Sequence, residues 1–344
     1  MKTVGIITEY NPFHQGHIYH IQKAKQYGDV LVAICSGFYS QRGLPSLISR
    51  QDKTKLALQN GVDLVLELPA CYASQSADYF AKYAIQSLSC LNVDTICFGS
   101  ETNDIEYLKK YTNELSSITI DPTLSQSLNT SRALDSLGSN DILGIQYIRF
   151  CQDHDIEPVC IQRNNDFISA TKTRADYFAG KKQFNDQYFL KEQNWQSYYP
   201  YLKTFLLMTP ASYLSSLFMV NEGIEFRLKE NARKYDDWQT FLNASISKTY
   251  TRARIQRTCL FILLQISKEK MQTNASFYGV KVLGFNEKGQ QLLKQNKDQP
   301  IYTRFGDLPD FLKEIEIKSK ALYNSVLTTP LKERQLYIKS STKR

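Results

Sequence analysis

The sequence predicts an α/β protein, with a Rossmann-like parallel sheet that has helices on both faces and is followed by a mainly helical C-terminal domain. Up to about residue 175, short β-branched apolar runs alternate with longer periodic stretches, which is the pattern of a parallel sheet covered by helices. From Lys181 onward strand signals become sparse. We therefore predict two domains, residues 1–178 and residues 179–344, as the length of 344 residues allows.

Apolar runs predict the strands, and the periodic stretches between them predict the helices. The runs cover residues 4–7, 30–34, 62–68, 93–98 and 158–161. The predicted helices cover residues 18–25, 51–60, 72–91 and 104–139, and a further one from Asn140 to about His154. In the second domain, periodicity predicts helices over residues 212–220, 238–247 and 251–267, with residues 280–285 as a short strand or a loop.

The first strand leads into a histidine-rich turn. His14-Gln15-Gly16-His17 follows a turn-forming segment and opens a periodic stretch. The start of a helix offers unpaired N–H groups and the positive end of the helix dipole, so it binds anions such as phosphate. Two imidazoles three residues apart lie on one face of the first turn. Because Gly16 has no side chain, a nucleotide could approach the backbone there.

Other interpretations of the histidines are weaker. A lone histidine is usually a packing residue, but His14, His17 and His20 are three of the four histidines in the chain. Zinc is also disfavoured, because no cysteines or carboxylates accompany the histidines in a usual ligand spacing. Phosphate binding is the favoured interpretation.

Further candidates follow other strands. Gly99 ends one strand, where ligands of open α/β sheets bind. Ser169-Ala170-Thr171-Lys172-Thr173-Arg174 opens a helix, with Ser169 or Thr171 as its cap. Arg174, one turn into that helix, could bind a triphosphate by charge-assisted hydrogen bonds. Arg42, in a turn-rich loop after the second strand, could reach a phosphate or a carboxylate.

Charge is distributed unevenly along the chain. The net charge is +8 at pH 7, yet the first 180 residues carry 15 basic and 19 acidic side chains, and the remainder carries 27 and 15. This asymmetry suggests a polyanionic partner such as RNA for the second half. Arg252, Arg254 and Arg257 on one predicted helix are candidate RNA contacts, although an amphipathic helix with exposed arginines explains them equally well.

Composition indicates a cytoplasmic protein. No apolar run approaches the roughly 20 residues that cross a bilayer, and no signal-peptide pattern is evident at the N-terminus, so no membrane partner is expected. The seven cysteines are scattered without a CxxC pair and are predicted to be reduced core residues. The sequence leaves the oligomeric state open.

Several ordered motifs resemble one enzyme family. HxGH alone is similar to the nucleotidylyltransferase superfamily signature. Together, EYNPFHQGH, DLVLELP, FGSE, NDILGIQY, QRNN and SATKTR resemble the bacterial tRNA(Met) cytidine acetate ligase family. The chain departs from the usual family pattern at Phe38, Leu44 and Gln162.

The resemblance implies an ATP-dependent ligase. Such an enzyme activates acetate as acetyl-AMP with release of pyrophosphate, and acetylates N4 of the wobble cytidine of elongator tRNA(Met), with Mg²⁺ accompanying the ATP. It implies His14 and His17 as catalytic residues, and no residue is assigned as a metal ligand. The ATP-binding residues expected are Ile7, Thr8, Glu9, Tyr10, Asn11, Pro12, Phe13, His14, Gln15, Gly16, His17, His20, Gly99, Asn140, Arg163, Ser169, Thr171 and Arg174.

Two other functions stay open at this point. A small-molecule adenylyltransferase that makes a dinucleotide cofactor would use the same HxGH box, although it would not need a basic second half. A non-catalytic RNA-binding protein would not need both histidines together with Arg174. Pyrophosphate release with acetate, and transfer of the acetyl group to tRNA, would distinguish the three.

Overall fold

The computed structural model describes residues 1–115, 137–164 and 166–338. These residues form one eight-stranded sheet in the order β5-β4-β1-β2-β3-β6-β7, with β8 paired to β6. The strands are β1 (Thr3–Thr8), β2 (Val30–Ser36), β3 (Leu64–Leu68), β4 (Thr95–Ser100), β5 (Glu157–Gln162), β6 (Val280–Phe285), β7 (Ile301–Tyr302) and β8 (Leu336–Tyr337).

The described helices of the first part are α1 (Gln15–Ala24), α2 (Arg50–Gln59), α3 (Ala70–Ala73), α4 (Ala77–Ser89), α5 (Ile105–Leu115), α6 (Ser139–Cys151) and α7 (Ala170–Phe178). The later ones are α8 (Trp195–Met208), α9 (Ala211–Leu214), α10 (Ile224–Lys234), α11 (Trp238–Ser245), α12 (Arg252–Leu264), α13 (Lys268–Thr273), α14 (Glu287–Gln295) and α15 (Asp310–Ser325). The prediction of a mainly helical second half is confirmed. No described helix is both long and apolar enough to span a membrane.

The parallel part of the sheet has helices on both faces, as predicted. Strands β5, β4, β1, β2 and β3 all run parallel, and every residue of β2 is buried. Alternate β2 side chains belong to two separate cores. Val30 and Val32 pack in one core with α4 residues such as Ile85, and Leu31 and Ala33 pack in the other with residues of α1 and α2. A strand buried on both sides explains the continuous apolar run in the sequence.

The order of the strands locates the ligand site. The chain moves from β1 to β2 and β3 on one side, and later to β4 and β5 on the other. Such a change of direction between β1 and β4 opens a crevice at the carboxyl ends of these two strands, where open α/β sheets bind ligands.

Three helix predictions need correction or lie outside the described residues. The predicted helix over residues 72–91 is broken between α3 and α4, where the Ser74 hydroxyl donates to the Ser40 carbonyl (2.9 Å). Of residues 212–220 only the start is helical, because the Phe218 N–H donates to Ile266 O (2.8 Å) rather than to a carbonyl of α9. Of residues 104–139, the described parts include α5 and the start of α6, whereas 116–136 are outside the described residues.

The second half returns to the sheet. Residues 280–285 form β6, which pairs antiparallel with β3 and carries β7 and β8. A buried ion-pair network joins the same two parts: the Arg50 guanidinium contacts Glu67 (2.6 Å), Glu316 (2.9 Å) and Glu333 (2.7 Å). The domain boundary after residue 178 stays a prediction, and the sheet contains strands from both sides of it.

Candidate active site

A cavity of about 540 Å³ lies at the carboxyl ends of β1 and β4, the position that the strand order indicates. Its volume is in the range of pockets that hold a nucleotide-sized ligand. Residues from β1, α1, the loop after β2, α4, α6 and the start of α7 line it. The cavity therefore brings together segments separated by up to about 165 residues of sequence.

His14 and His17 form a reciprocal cap at the start of α1. The Gly16 N–H donates to Nδ1 of His14 (3.0 Å), and the His14 N–H donates to Nδ1 of His17 (3.1 Å). The two rings lie 3.8 Å apart, centroid to centroid. Each Nδ1 thus satisfies a backbone N–H that a helix start leaves unpaired.

These contacts fix the protonation state of both rings. Burial, together with the nearby Arg163 and Arg174 charges, lowers the pKa of His14 from 6.5 to about 4. Burial and the neighbouring imidazoles hold the pKa of His17 well below its usual range. Both rings are therefore neutral at pH 7, and because each Nδ1 accepts, each proton resides on Nε2. The cavity is lined by two neutral imidazoles, each with an Nε2–H donor.

Two glycines shape this wall for different reasons. A Cβ on Gly16 would lie 2.9 Å from Cε1 of His14, so this glycine makes room for the His14 ring. That space was predicted from the sequence to admit a nucleotide instead. A Cβ on Gly99 would meet nothing within 4 Å, so the backbone of β4 lies open to the cavity. Beside it, Nε2 of His20 lies 3.0 Å from the Cys97 carbonyl.

Glu101, just after β4, accepts hydrogen bonds from two predicted ATP-binding residues. Its Oε1 accepts from Nδ2 of Asn140 (2.6 Å) and from Nη1 of Arg163 (3.0 Å), and its Oε2 accepts from the Asp141 N–H (3.0 Å). Charge-assisted bonds of this kind fix orientation as well as adding energy. Glu101 was not among the site residues predicted from the sequence, although a carboxylate directly after a strand end in FGSE is a usable signal.

Arg174 closes another side of the cavity. Ser169 caps α7 as predicted, since its Oγ accepts from the Lys172 N–H (3.3 Å). The Arg174 guanidinium donates to the Asn11 carbonyl and to Oγ1 of Thr171 (3.1 Å). Burial and the neighbouring Arg42 charge lower the pKa of Arg174. The α7 start and the turn before α1 therefore face each other across the site.

Most predicted ATP-binding residues line the cavity, namely Ile7, Thr8, Glu9, Tyr10, Asn11, His14, Gly16, His17, His20, Gly99, Asn140, Arg163, Ser169, Thr171 and Arg174. Three others do not line it: Pro12 and Phe13 are buried below it and Gln15 is exposed. Phe13 packs against the rings of Tyr10 and His17, with centroids 4.8 and 5.7 Å away. Phe13 therefore supports the turn from below.

Sequence reasoning missed most of the apolar lining, which includes Leu44, Phe80, Phe98, Ile142, Leu143, Tyr147 and Phe167. Of the three departures from the family pattern, Leu44 lines the cavity, and the Gln162 side chain donates to the Glu101 carbonyl (3.2 Å). The Phe38 ring instead covers the Arg50 guanidinium, 3.7 Å from its Cζ.

The three arginines of α12 differ in their surroundings. Arg252 is exposed and bonds Asn243 (2.8 Å), whereas Arg254 pairs with Glu222 (3.2 Å) and lies over the Tyr250 ring. Arg257 is half-buried against Gly43, and burial lowers its pKa to about 10. Its Nε has no hydrogen-bond partner among the described residues. Arg257 therefore lies beside the loop that carries Arg42.

The described residues contain no cluster of three or more histidine, cysteine, aspartate or glutamate side chains suited to hold a metal. Mg²⁺ prefers oxygen ligands and commonly binds through substrate phosphates and water. A Mg²⁺ ion in this cavity would therefore be held chiefly by a bound triphosphate.

The chain resembles known proteins over nearly its whole length. The family model "HIGH Nucleotidyl Transferase" matches residues 1–337. The tRNA(Met) cytidine acetate ligase of Staphylococcus haemolyticus is 33% identical, with 95% of each chain covered. That of Limosilactobacillus reuteri is 31% identical over 97% of each chain. A crystal structure of Thermotoga maritima TmcAL bound with alpha-thio ATP superposes with a TM-score of 0.86 at 27% identity, covering 99% of this chain and 100% of that one.

Proposed function

Because this chain belongs to the tRNA(Met) cytidine acetate ligases of the HIGH nucleotidyl transferase family, we propose that it joins acetate to a cytidine of tRNA(Met) at the expense of ATP. It is an enzyme of the ligase class. The observation that carries the proposal is the pair of neutral imidazoles at the α1 start, each with an Nε2–H donor at the cavity.

The ATP would bind with its phosphates at this helix start. Backbone dipoles, the two Nε2–H groups and the Arg174 guanidinium are suited to phosphoryl oxygens. The open backbone at Gly99 leaves room for the nucleoside, and Asn140 and Arg163, oriented by Glu101, would contact it. The Thermotoga maritima protein, whose structure is bound with alpha-thio ATP, supports ATP as the nucleotide.

The first chemical step needs alignment more than acid–base chemistry. An acetate oxygen would attack the α-phosphorus, forming the acetyl–phosphate bond of acetyl-AMP while pyrophosphate leaves. Charge on the phosphoryl oxygens increases in the transition state, and fixed donors lower the barrier because they need no reorganisation. His14 and His17 fit this role because their Nδ1 atoms are already bonded to backbone N–H groups.

Cationic side chains extend from the cavity toward the second half. Arg42 lines the cavity, and Arg257 lies against the Gly43 backbone beside it. The lowered pKa of Arg257 reflects burial and the charges of Arg254 and Arg42. A group of like charges is relieved by a bound anion, so the tRNA backbone would run along Arg42, Arg257 and Arg254, with Arg252 at its edge. Elongator tRNA(Met), acetate and a cytoplasmic location belong to this proposal.

The test is a pair of partial reactions with purified protein. Acetate-dependent exchange of labelled pyrophosphate into ATP would report adenylate formation, and labelled acetate would report transfer to tRNA(Met). The expected result is exchange without tRNA, and acetyl label on N4 of the wobble cytidine with tRNA. Exchange that requires a phosphorylated small acceptor, or no exchange with any acid, would contradict the proposal.

A further inference from the structure

Glu9 has an unusual position in the cavity. Among the described residues it is the single carboxylate in the lining. The basic side chains of the lining are Arg42, Arg163, Arg174 and three histidines. A carboxylate is an unfavourable neighbour for a triphosphate, because like charges repel. The presence of a negative side chain in an anion-binding cavity therefore calls for a functional explanation.

The Glu9 carboxylate is held in place rather than free to turn away. Its Oε1 accepts from the Gln41 N–H at 2.5 Å. Its backbone carbonyl accepts from the Lys53 ammonium at 3.2 Å, and this buried ammonium also donates to the carbonyls of Ser36 (2.7 Å) and Gly37 (2.9 Å). The next residue, Tyr10, has a left-handed φ of 48°, so the chain changes direction directly after Glu9. Both the backbone and one oxygen of Glu9 are thereby fixed.

The second carboxylate oxygen is available. Within residues 1–115, 137–164 and 166–338, no hydrogen bond or ion pair reaches Oε2 of Glu9. A fixed carboxylate with one satisfied and one unsatisfied oxygen is a preorganised hydrogen-bond acceptor. Adenylate formation does not use such an acceptor, because acetate is ionised at neutral pH and has no proton to lose.

The second step does use one. The exocyclic N4 amine of cytosine is a hydrogen-bond donor, and a carboxylate is the side chain that accepts from it. When this amine attacks the acetyl carbonyl it must lose a proton, and a positioned carboxylate can take it. Uracil presents an acceptor oxygen at the same place, so a carboxylate would also disfavour it.

We propose that Glu9 is the general base of the acetyl-transfer step and the group that selects an amine-bearing pyrimidine; this inference rests on the proposed function. In the step, the N4 nitrogen forms a bond to the acetyl carbon, and one N4 proton passes to Oε2 of Glu9. The bond from the acetyl carbon to the phosphate oxygen breaks, and its electron pair leaves with AMP.

The test compares the two partial reactions in Glu9→Gln. The amide oxygen can still accept from the Gln41 N–H but cannot take a proton. Acetyl transfer to tRNA(Met) is expected to fall about 10²–10⁴-fold more than pyrophosphate exchange, which separately reports any loss of ATP binding. Hydroxylamine, a strong nucleophile that needs no positioned base, should still trap acetyl-AMP as the hydroxamate. Glu106→Gln, a surface carboxylate paired with Lys109 on α5, should change neither reaction.

Glu9→Asp provides a second test if the glutamine variant does not fold. It keeps the charge but withdraws the oxygen by about one bond length, so transfer should fall more than exchange. Transfer by Glu9→Gln within 3-fold of normal, or equal losses of exchange and transfer, would overturn the inference while leaving the ligase function intact. Absence of acetate-dependent exchange in the unmodified protein would instead overturn the proposed function, and this inference with it.

Discussion

Two walls of the cavity are held by different kinds of contact. The first wall, residues 10–17, has local contacts where His14 and His17 cap α1, with bonds between residues two and three apart. Within the described part of the chain, only its Asn11 side chain bonds a distant segment, at the Pro45 carbonyl (3.2 Å) and the Leu47 N–H (2.8 Å), and the Asn11 carbonyl accepts from Arg174. The second wall, residues 37–46, is held from far along the chain. Its Gly43 carbonyl accepts from Nε1 of Trp195 (3.0 Å) and its Ser46 carbonyl from the Tyr323 hydroxyl (2.6 Å).

The two walls therefore have different roles: the first provides the groups that contact phosphate, and the second positions other side chains of the cavity. The first wall carries the donors for phosphate, and its His14–His17 cap needs only the first turn of α1. The second wall carries Gln41, which fixes Glu9, and Arg42. Its Gly43 and Ser46 carbonyls gain their hydrogen bonds from Trp195 and Tyr323 only when the second half of the chain packs on it. Changes to the first wall should therefore affect ATP chemistry, and changes behind the second wall should affect stability first.

The largest effect is expected from His17→Ala in the first wall. Loss of one fixed donor to the phosphoryl oxygens should lower acetate-dependent pyrophosphate exchange about 10²–10³-fold. Binding of tRNA, measured by gel shift, should remain nearly intact, and His14→Ala should behave alike. His154→Ala, which removes the fourth histidine in the turn that follows α6, is the matched control. Equal loss of exchange and tRNA binding would contradict the separation of roles.

Acid should destabilise the first wall next. The folded pKa of His14 is about 4, below its ordinary 6.5, so the folded state disfavours the charged ring. The contribution of His14 to the free energy of unfolding is fully present above pH 6.5. It is lost as the pH falls toward 4, by up to about 3 kcal/mol. Urea unfolding between pH 7 and 4 measures this loss.

His14→Asn provides the control for that pH dependence. Asparagine caps a helix well but does not titrate, so the slope of unfolding free energy against pH should be smaller. Residues 37–46 contain no histidine or carboxylate and so contribute nothing to the slope. An unchanged slope in this variant would show that His14 is not the responsible group.

Glu101→Gln should have an intermediate effect. Like the contacts of the second wall, the bonds of Glu101 join it to residues distant in sequence, Asn140 and Arg163. Loss of the charge-assisted bonds should raise the KM for ATP about 10–100-fold with a smaller change in kcat. A double-mutant cycle with Arg163→Ala should give less than additive losses. Additive losses would mean that the ion pair does not orient Arg163.

The smallest effect is expected behind the second wall. Tyr323→Phe removes the hydroxyl that bonds the buried Ser46 carbonyl, which should lower the free energy of unfolding by about 1–2 kcal/mol. Pyrophosphate exchange at low temperature should change less than about 3-fold. Tyr201→Phe, whose exposed hydroxyl bonds the Ser325 carbonyl (3.3 Å), should change stability by less than about 0.5 kcal/mol.

The sequence predicted the first wall better than the second for a physical reason. An HxGH box at a strand-to-helix junction is a local signal, because capping and helix dipoles act over one turn. The parallel strands were also predictable, since burial on both faces produces apolar runs. The reason given for Gly16 was different from the one found, because the path of the His14 ring is not visible in the sequence.

The second wall depends on contacts that no local pattern encodes. Nothing around Trp195 or Tyr323 indicates that each bonds a loop 152 or 277 residues earlier. Periodicity marks Phe80 and Tyr147 as buried, but does not show that they face the same cavity. The break after Ala73 likewise follows from a tertiary bond between Ser74 and Ser40.

The antiparallel pairing of β3 with β6 has a consequence for synthesis of the chain on the ribosome. β3 ends at Leu68, and its partner begins only at Val280. At translation rates of about 5–20 residues per second, the edge of β3 waits roughly 10–40 seconds for that partner. During this time a fully buried LVLEL strand presents unpaired backbone groups that other chains can pair with. The nascent protein is therefore most in need of chaperone protection before β6 leaves the ribosome.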